Sequence, residues 1–269
     1  MPRHVTTTIE EGVAHLRLAR PDKLNALTLE MLDDLVAAAR GLSSDRRLRA
    51  VIVSGEGAAF CAGLDFGSAM RDQKGILRRF VPRPWTGTNV FQEAAWALRR
   101  LEVPVIAAVH GHCLGGGLQI ALAADFRITH PDATWSVLEA RWGIIPDMSG
   151  VHALSQLVGI DVAKKLTMTA EKVPGTRARE IGLATEVAED PLAAAHLLAD
   201  ELATRSPDAL ASAKRLFDGT WHAGPRRTFA RERIEQLGLL FGPNARQARV
   251  ANAERRAPEY LPRSRRLVR

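Results

Sequence analysis

The chain has 269 residues, of which 46% are hydrophobic and 25% charged, which suffices for the core of one large domain and excludes a disordered chain. Its two cysteines, Cys61 and Cys113, make neither a disulfide framework nor a zinc site, and no apolar run approaches the ~20 residues that span a bilayer. The net charge of +7 fits nucleic acid, an anionic coenzyme or merely an arginine-rich surface. The basic residues are scattered, apart from Arg46–Arg49 and a C-terminal group of Arg255, Arg256, Arg263, Arg265 and Arg266, so charge alone does not choose.

In chain order, Val5–Ile9 and Val13–Leu18 are β-rich and joined by a Glu11-Gly12 turn. No apolar leader precedes them, so a cytoplasmic protein is expected. Thr28 is a good N-cap for a helix from Leu29 to about Leu42, with Leu32, Leu35, Val36 and Ala39 on one face. Ala50–Ser54 is a short buried strand. Residues 67–84 show little periodicity and several charges, which predicts a mobile loop. Glu93–Leu101 is helical, Val103–Val109 is a buried strand, Gly111–Gly117 is a glycine-rich turn, and Leu118–Ala124 is a helix. Phe126–Thr129 and Ala184–Ala188 are further strands. Beyond them the chain is helical: Leu192–Thr204, Asp208–Phe217, Arg226–Leu240 and Asn244–Arg256. Two regions are expected, an α/β core over 1–200 and a helical assembly region over 201–269.

Two loops carry the chemistry: Phe60-Cys61-Ala62-Gly63-Leu64-Asp65, and the run from His110 through Gly115-Gly116-Gly117 to Gln119. Consecutive glycines at a strand-to-helix junction admit a ligand close to the backbone. The free N–H groups of a helix start suit a phosphate, a carboxylate or an oxyanion. The spacing matches neither G-x-G-x-x-G nor a Walker loop. A tight packing turn is the other reading of the triplet.

Together the loops resemble the paired oxyanion-hole loops of the crotonase (enoyl-CoA hydratase/isomerase) superfamily, with His110 in place of an asparagine. Arg20-Pro21-Asp22-Lys23-Leu24-Asn25-Ala26-Leu27 is similar to the family's early signature. Glu139 lies in a run, Leu138 to Pro146, similar to its P-E-x-x-x-G-x-x-P motif, with Leu138 in place of the first proline. Glu254-Arg255-Arg256-Ala257-Pro258 resembles a C-terminal E-K-R-x-P. The resemblance implies an α/β spiral of ββα units whose C-terminal helices assemble trimers, often paired into hexamers. It implies an acyl-CoA substrate, coenzyme A entering as part of the thioester with no separate cofactor or metal. The N–H groups of Leu64 and Gly116 would hold the thioester oxygen as an enolate forms. Ala62 and Gly63 would leave room for the pantetheine arm, and Asp65 and Gly115 would count among the substrate-binding residues. Lys23, Leu24 and Ala26 would meet the coenzyme, and Arg255 a neighbouring subunit's coenzyme.

Proton transfer needs positioned acids and bases. The family's hydratases use two glutamates; here the first position is Gln119 and the second Glu139. An amide holds a water but cannot take its proton. Asp147 follows Pro146 at a spacing similar to that of the dienoyl-CoA isomerase subgroup, where two carboxylates shuttle a proton along the acyl chain. That subgroup has an acid where this chain has Gln119. Double-bond isomerisation by Glu139 and Asp147 is therefore the preferred expectation, with hydration as the alternative. Gln119 is expected to line the site without handling a proton. Glu139 as a surface partner of Arg141, and Asp147 as the cap of a helix from Met148 or Ser149, are the competing readings. An RNA-binding relative is a further alternative, although aromatics, at 5%, are not interleaved with the basic residues, and so is another reaction of the family such as thioester hydrolysis or dehalogenation. His110 and His112 are expected to pack loops, and Asp125 to be structural.

Overall fold

The structure, a computed structural model, describes residues 4–264; Met1–Arg3 and, in the basic C-terminal group, Arg265 and Arg266 lie outside the described residues. Strands β1 (Val5–Glu10) and β2 (Val13–Leu18) form the opening hairpin. The Thr28 hydroxyl accepts the Met31 N–H at 3.2 Å and caps α1 (Leu29–Ser43), whose expected stripe is buried. Next come β3 (Ala50–Gly55), α2 (Phe66–Ala69), α3 (Gln73–Phe80), α4 (Val90–Arg99), β4 (Val105–Val109), β5 (His112–Leu114), α5 (Gly116–Leu122), β6 (Phe126–Thr129) and β7 (Thr134–Ser136). A 3-10 turn at Glu139–Trp142 leads to α6 (Gly150–Leu157), α7 (Ile160–Thr169), β8 (Val173–Pro174), α8 (Gly175–Glu180) and β9 (Glu186–Val187). The chain then runs through α9 (Pro191–Ala203), α10 (Pro207–Thr220), α11 (Pro225–Leu240) and α12 (Pro243–Glu254).

Six strands form one sheet in the order β1-β2-β3-β4-β6-β9, parallel from β2 onward. The two-residue period of a strand sorts side chains onto opposite faces. Val51, Val53, Val105, Ala107 and Val109 enter the main core with α1, α4 and α5. Ala50, Ile52, Ile106, Ala108 and Ile128 face the other way, onto Ala195 and Ala199 of α9. Covered on both sides, β3 and β4 are continuous apolar runs. A second sheet, β5-β7-β8, holds the chain just before the glycine triplet.

Several elements differ from expectation for local reasons. Residues 67–84 are not a featureless loop: Asp65 and Asp72 cap α2 and α3, Arg79 pairs with Asp33 at 2.7 Å, and Phe80 packs on Phe91 with ring centroids 5.0 Å apart. Helix α4 starts before Glu93, because Asn89 and Gln92 form a reciprocal capping box. Strand β4 starts only after Pro104, which has no N–H to give a ladder. Strand β9 shrinks to Glu186–Val187. Each C-terminal helix begins one residue early on a proline, Pro191, Pro207, Pro225 or Pro243, whose fixed φ suits a first helical position.

Candidate active site

The loop 60–65 is stitched between two neighbours. The Phe60 and Cys61 N–H groups donate to the His110 and His112 carbonyls, each at 2.8 Å, and Leu114 N–H donates to Cys61 O at 3.0 Å. On the other side Leu27 N–H donates to Gly63 O at 2.7 Å and Asp65 N–H to Leu27 O at 2.9 Å. Extended backbone alternates its donors, so with Asp65 turned toward Leu27, Leu64 presents its N–H away from that partner. Among the described residues no acceptor meets the N–H of Leu64 or of Gly116.

Gly115, at φ 50° and ψ −122°, occupies backbone space open in practice to glycine alone. It turns β5 into α5 and leaves Gly116 as the first helical residue, with an unclaimed N–H. A Cβ on Gly63 would sit 2.9 Å from Leu114 O and 3.7 Å from Gly116 N. A Cβ on Gly117 would sit 2.5 Å from the Cys61 Cβ. The two loops therefore touch backbone to backbone, with two free donors at the seam.

Glu139 is only 6% exposed, on the 3-10 turn at Glu139–Trp142. This overturns the surface reading. A Cβ on Gly115 would lie 3.5 Å from Glu139 Oε1, so the carboxyl borders the seam. Gln119 Nε2 donates to Oε1 at 2.6 Å, while Oε2 is buried with no partner. Burial, with a smaller contribution from the charge of Asp147, raises the proton affinity of Glu139 against the pull of the Gln119 hydrogen bond. Burial raises that of Asp147 as well. Asp147 does not cap a helix: α6 starts at Gly150, Ser149 holds the cap position in left-handed backbone (φ 67°), and no side chain caps the helix.

Arg20 and Asn25, which the sequence marked only as letters of a motif, hold the entrance together. Arg20 reaches Asp65 at 2.8 Å and the Ala26 carbonyl at 2.9 Å. The fully buried Asn25 donates to the Glu56 and Ala59 carbonyls at 2.9 and 2.8 Å and accepts the Arg20 N–H at 2.8 Å. Asp65 is thus an anchor and the cap of α2. Burial opposes its charge, but the Ser68 N–H and Arg20 outweigh that and hold the carboxyl low. Ala62 N–H donates to Leu24 O at 2.9 Å, which brings Lys23, Leu24 and Ala26 beside the loop, with Lys23 and Leu24 exposed. Arg255 is not brought to this set; it ends α12, in left-handed backbone (φ 55°), exposed.

Phe66 stacks on Trp142 at 4.7 Å, tying the first loop to the Glu139 turn; no periodicity pointed to that pair. Cys61 and Cys113 are backbone neighbours in parallel pairing, and both are buried free thiols. Burial pushes the Cys61 thiol up to about 12, which removes it as a nucleophile. His110 Nε2 donates to Gly57 O at 2.9 Å, a loop contact. Asp125 accepts from Val105 N–H and Lys214, each at 2.7 Å, and pins α10 to the core. A cavity of about 450 Å³ beside α10 is lined by already paired charges, Lys214 with Asp125 and Arg99 with Asp218, away from the loops. No helix among the described residues is long and apolar enough to cross a membrane.

Comparison with known proteins gives one consistent answer. Residues 8–261 match the family model described as enoyl-CoA hydratase/isomerase. The chain is 35% identical over 208 residues to the short-chain-enoyl-CoA hydratase of Clostridium acetobutylicum, covering 76% of this chain and 77% of that protein. It is 33% identical over 223 residues to the human mitochondrial Delta(3,5)-Delta(2,4)-dienoyl-CoA isomerase, covering 77% of this chain and 66% of that protein. The crystal structure of an enoyl-CoA hydratase from Bacillus anthracis superposes with a TM-score of 0.88 at 26% identity, over 96% of this chain and 98% of that one. With the motifs collinear and the spiral α/β fold shared, the chain belongs to the crotonase superfamily, as a member of the enoyl-CoA hydratase/isomerase family of enzymes.

Proposed function

We propose that this enzyme shifts a carbon–carbon double bond within an unsaturated acyl-CoA through a thioester enolate. One observation carries the reading. The buried Glu139 carboxyl borders the seam that holds the free Leu64 and Gly116 donors, the half-buried Asp147 adds a second carboxyl of raised proton affinity, and Gln119 beside Glu139 has both ends of its amide occupied.

With a 3,5-dienoyl thioester, one carboxylate takes a proton from C2. The electron pair spreads onto the thioester oxygen, which accepts hydrogen bonds from Leu64 and Gly116. Removing one such donor typically costs about 3–4 kcal/mol of barrier. The other carboxyl, protonated, returns a proton at C6, and the 2,4-diene forms with no water consumed. Burial raises the proton affinity of both carboxyls, which suits one of them to deliver a proton while the other takes one. Lys23, Leu24, Ala26, Ala62 and Gly63 would receive the coenzyme arm. Arg255 would act across a trimer or hexamer interface, and the exposed Phe217, Trp221 and Phe241 of the helical tail suit such assembly.

The name of the Clostridium relative favours a second reading, water addition to a 2-enoyl-CoA. Incubation of 2-enoyl-, 3-enoyl- and 3,5-dienoyl-CoAs in heavy water, followed by chromatography and mass spectrometry, separates the two. A shifted retention time with no water added is the expected result. A product heavier by one heavy water overturns it in favour of hydration. No change in any substrate removes both readings.

A further inference from the structure

We propose that Gln119 is a positioning residue that selects the working oxygen of Glu139 and keeps water out of the space between them. The inference rests on Glu139 being the proton carrier proposed above. It adds a residue whose own atoms neither take nor give a proton.

The geometry around Gln119 is closed. Its Oε1 accepts two backbone N–H groups, Met148 at 2.8 Å and Gly150 at 2.9 Å. Its Nε2 donates to Glu139 Oε1 at 2.6 Å. With donors on one side and a carboxyl on the other, only one orientation of the amide satisfies all three contacts. The side chain is 1% exposed, and a Cβ on Gly150 would lie 2.6 Å from its Oε1, so Gly150 permits the approach. Three segments are thereby locked to one another: α5, the Glu139 turn and the entry to α6.

The consequence falls on Glu139. Its Oε1 is claimed by the amide. Its Oε2 is buried and without a partner, an expensive state unless a ligand atom meets it. Oε2 is thus the oxygen left to receive a substrate proton. An amide touching Glu139 directly at 2.6 Å leaves no gap for a water between the two side chains. A hydratase needs an activated water in its site; here the amide fills that space, and proton relocation is favoured. Asp147 is the charged neighbour that Glu139 feels.

The test uses two substitutions, with 3,5-octadienoyl-CoA as probe. Gln119→Leu removes the donor to Oε1. The expected kcat falls roughly 10- to 100-fold, the worth of one hydrogen bond to a charged group, while KM stays within about threefold. Gln119→Glu keeps an acceptor for Met148 and Gly150 and changes only the atom facing Glu139. At acidic pH its carboxyl is protonated and donates as the amide does, so kcat returns toward wild type. As pH rises and that proton leaves, kcat falls toward the Leu variant. A role in packing alone would lower both variants equally at every pH, and that result overturns the proposal. So does a wild-type profile in both.

Should Gln119→Leu fail to fold, Gln119→Glu decides alone. Glu139→Gln in the same assay separates the two readings: if it keeps turnover, the proposed function fails, whatever Gln119 does. If it is inactive while the Gln119 variants match wild type, only the positioning role fails. A substrate-free measurement covers the case of no turnover. The Tm difference between Glu139→Gln and its parent traces the ionisation of Glu139. In the Gln119→Leu background its midpoint moves to higher pH, because a donor to the carboxylate is gone; an unmoved midpoint overturns the proposal.

Discussion

The two halves of the site are built by opposite means. The cradle at Gly63–Leu64 and Gly115–Gly117 is backbone. Its donors are aimed by strand-like pairing with residues 27 and 110–114, and glycines permit the contact. The half proposed to handle protons is side chains on a 3-10 turn and an irregular segment, residues 139–149, tied to α5 by the Gln119 amide and to the first loop by the Phe66–Trp142 stack. Backbone donors depend on the path of the chain and need no polar side chain, so the donor at position 64 can belong to a leucine. Carboxyl chemistry depends on residue identity. On the proposed reading, a substitution in the second half would change the reaction while leaving the backbone donors in place.

Glu139→Gln strikes the side-chain half and should have the largest effect. Turnover should fall about 10²–10⁴-fold, the usual worth of a general acid–base group, while acyl-CoA binding, read by calorimetry, stays within about threefold. Near-normal turnover would move the proton chemistry elsewhere. The same variant should gain stability. The Glu139 carboxyl holds its proton to higher pH in the folded than in the unfolded chain, so the parent loses stability as pH rises through the folded value. The Tm of Glu139→Gln over its parent should therefore be small at low pH and grow toward neutrality. A constant offset would deny the ionisation.

Gly117→Ala strikes the backbone half. The new Cβ would press 2.5 Å from the Cys61 Cβ and 2.6 Å from the Cys61 oxygen, and backbone cannot yield as a flexible side chain does. Stability should fall by about 3 kcal/mol, with activity lost for every acyl-CoA tested, whichever reaction the carboxyls perform. Unchanged thermal unfolding would mean that the loops are not held against each other. The smallest effect belongs to the rim. Lys23→Ala should raise KM about threefold at low salt, with the difference fading near 1 M salt as screening removes the attraction; no salt dependence would place the coenzyme phosphates elsewhere.

Much of this was legible beforehand where local rules and tertiary packing agree. The stripe of α1 and its Thr28 cap, the apolar runs of β3 and β4, and the two chemical loops follow from periodicity, capping and collinear motifs. Residues 67–84 were illegible because their helices are short and depend on the Asp65 and Asp72 caps and on Phe80 reaching Phe91. The work of Asn25 was hidden because its hydrogen-bond partners, Glu56 and Ala59, lie more than thirty residues away. Asp147 could be read as an N-cap until the turn of Ser149 moved the helix start to Gly150.

By itself the sequence determined which residue types were present, a glycine-rich strand-to-helix turn, an amide at 119 and carboxyls at 139 and 147, since composition and spacing are properties of the chain alone; only the family resemblance made the two loops an expected oxyanion hole. Only the tertiary structure decided that Leu64 and Gly116 keep free N–H groups, that Glu139 is buried with one oxygen unmatched, and that Gln119 spans three segments. Those facts depend on groups distant in sequence meeting within hydrogen-bond range, and burial, which sets the proton affinity of a carboxyl, exists only once the chain has folded around it.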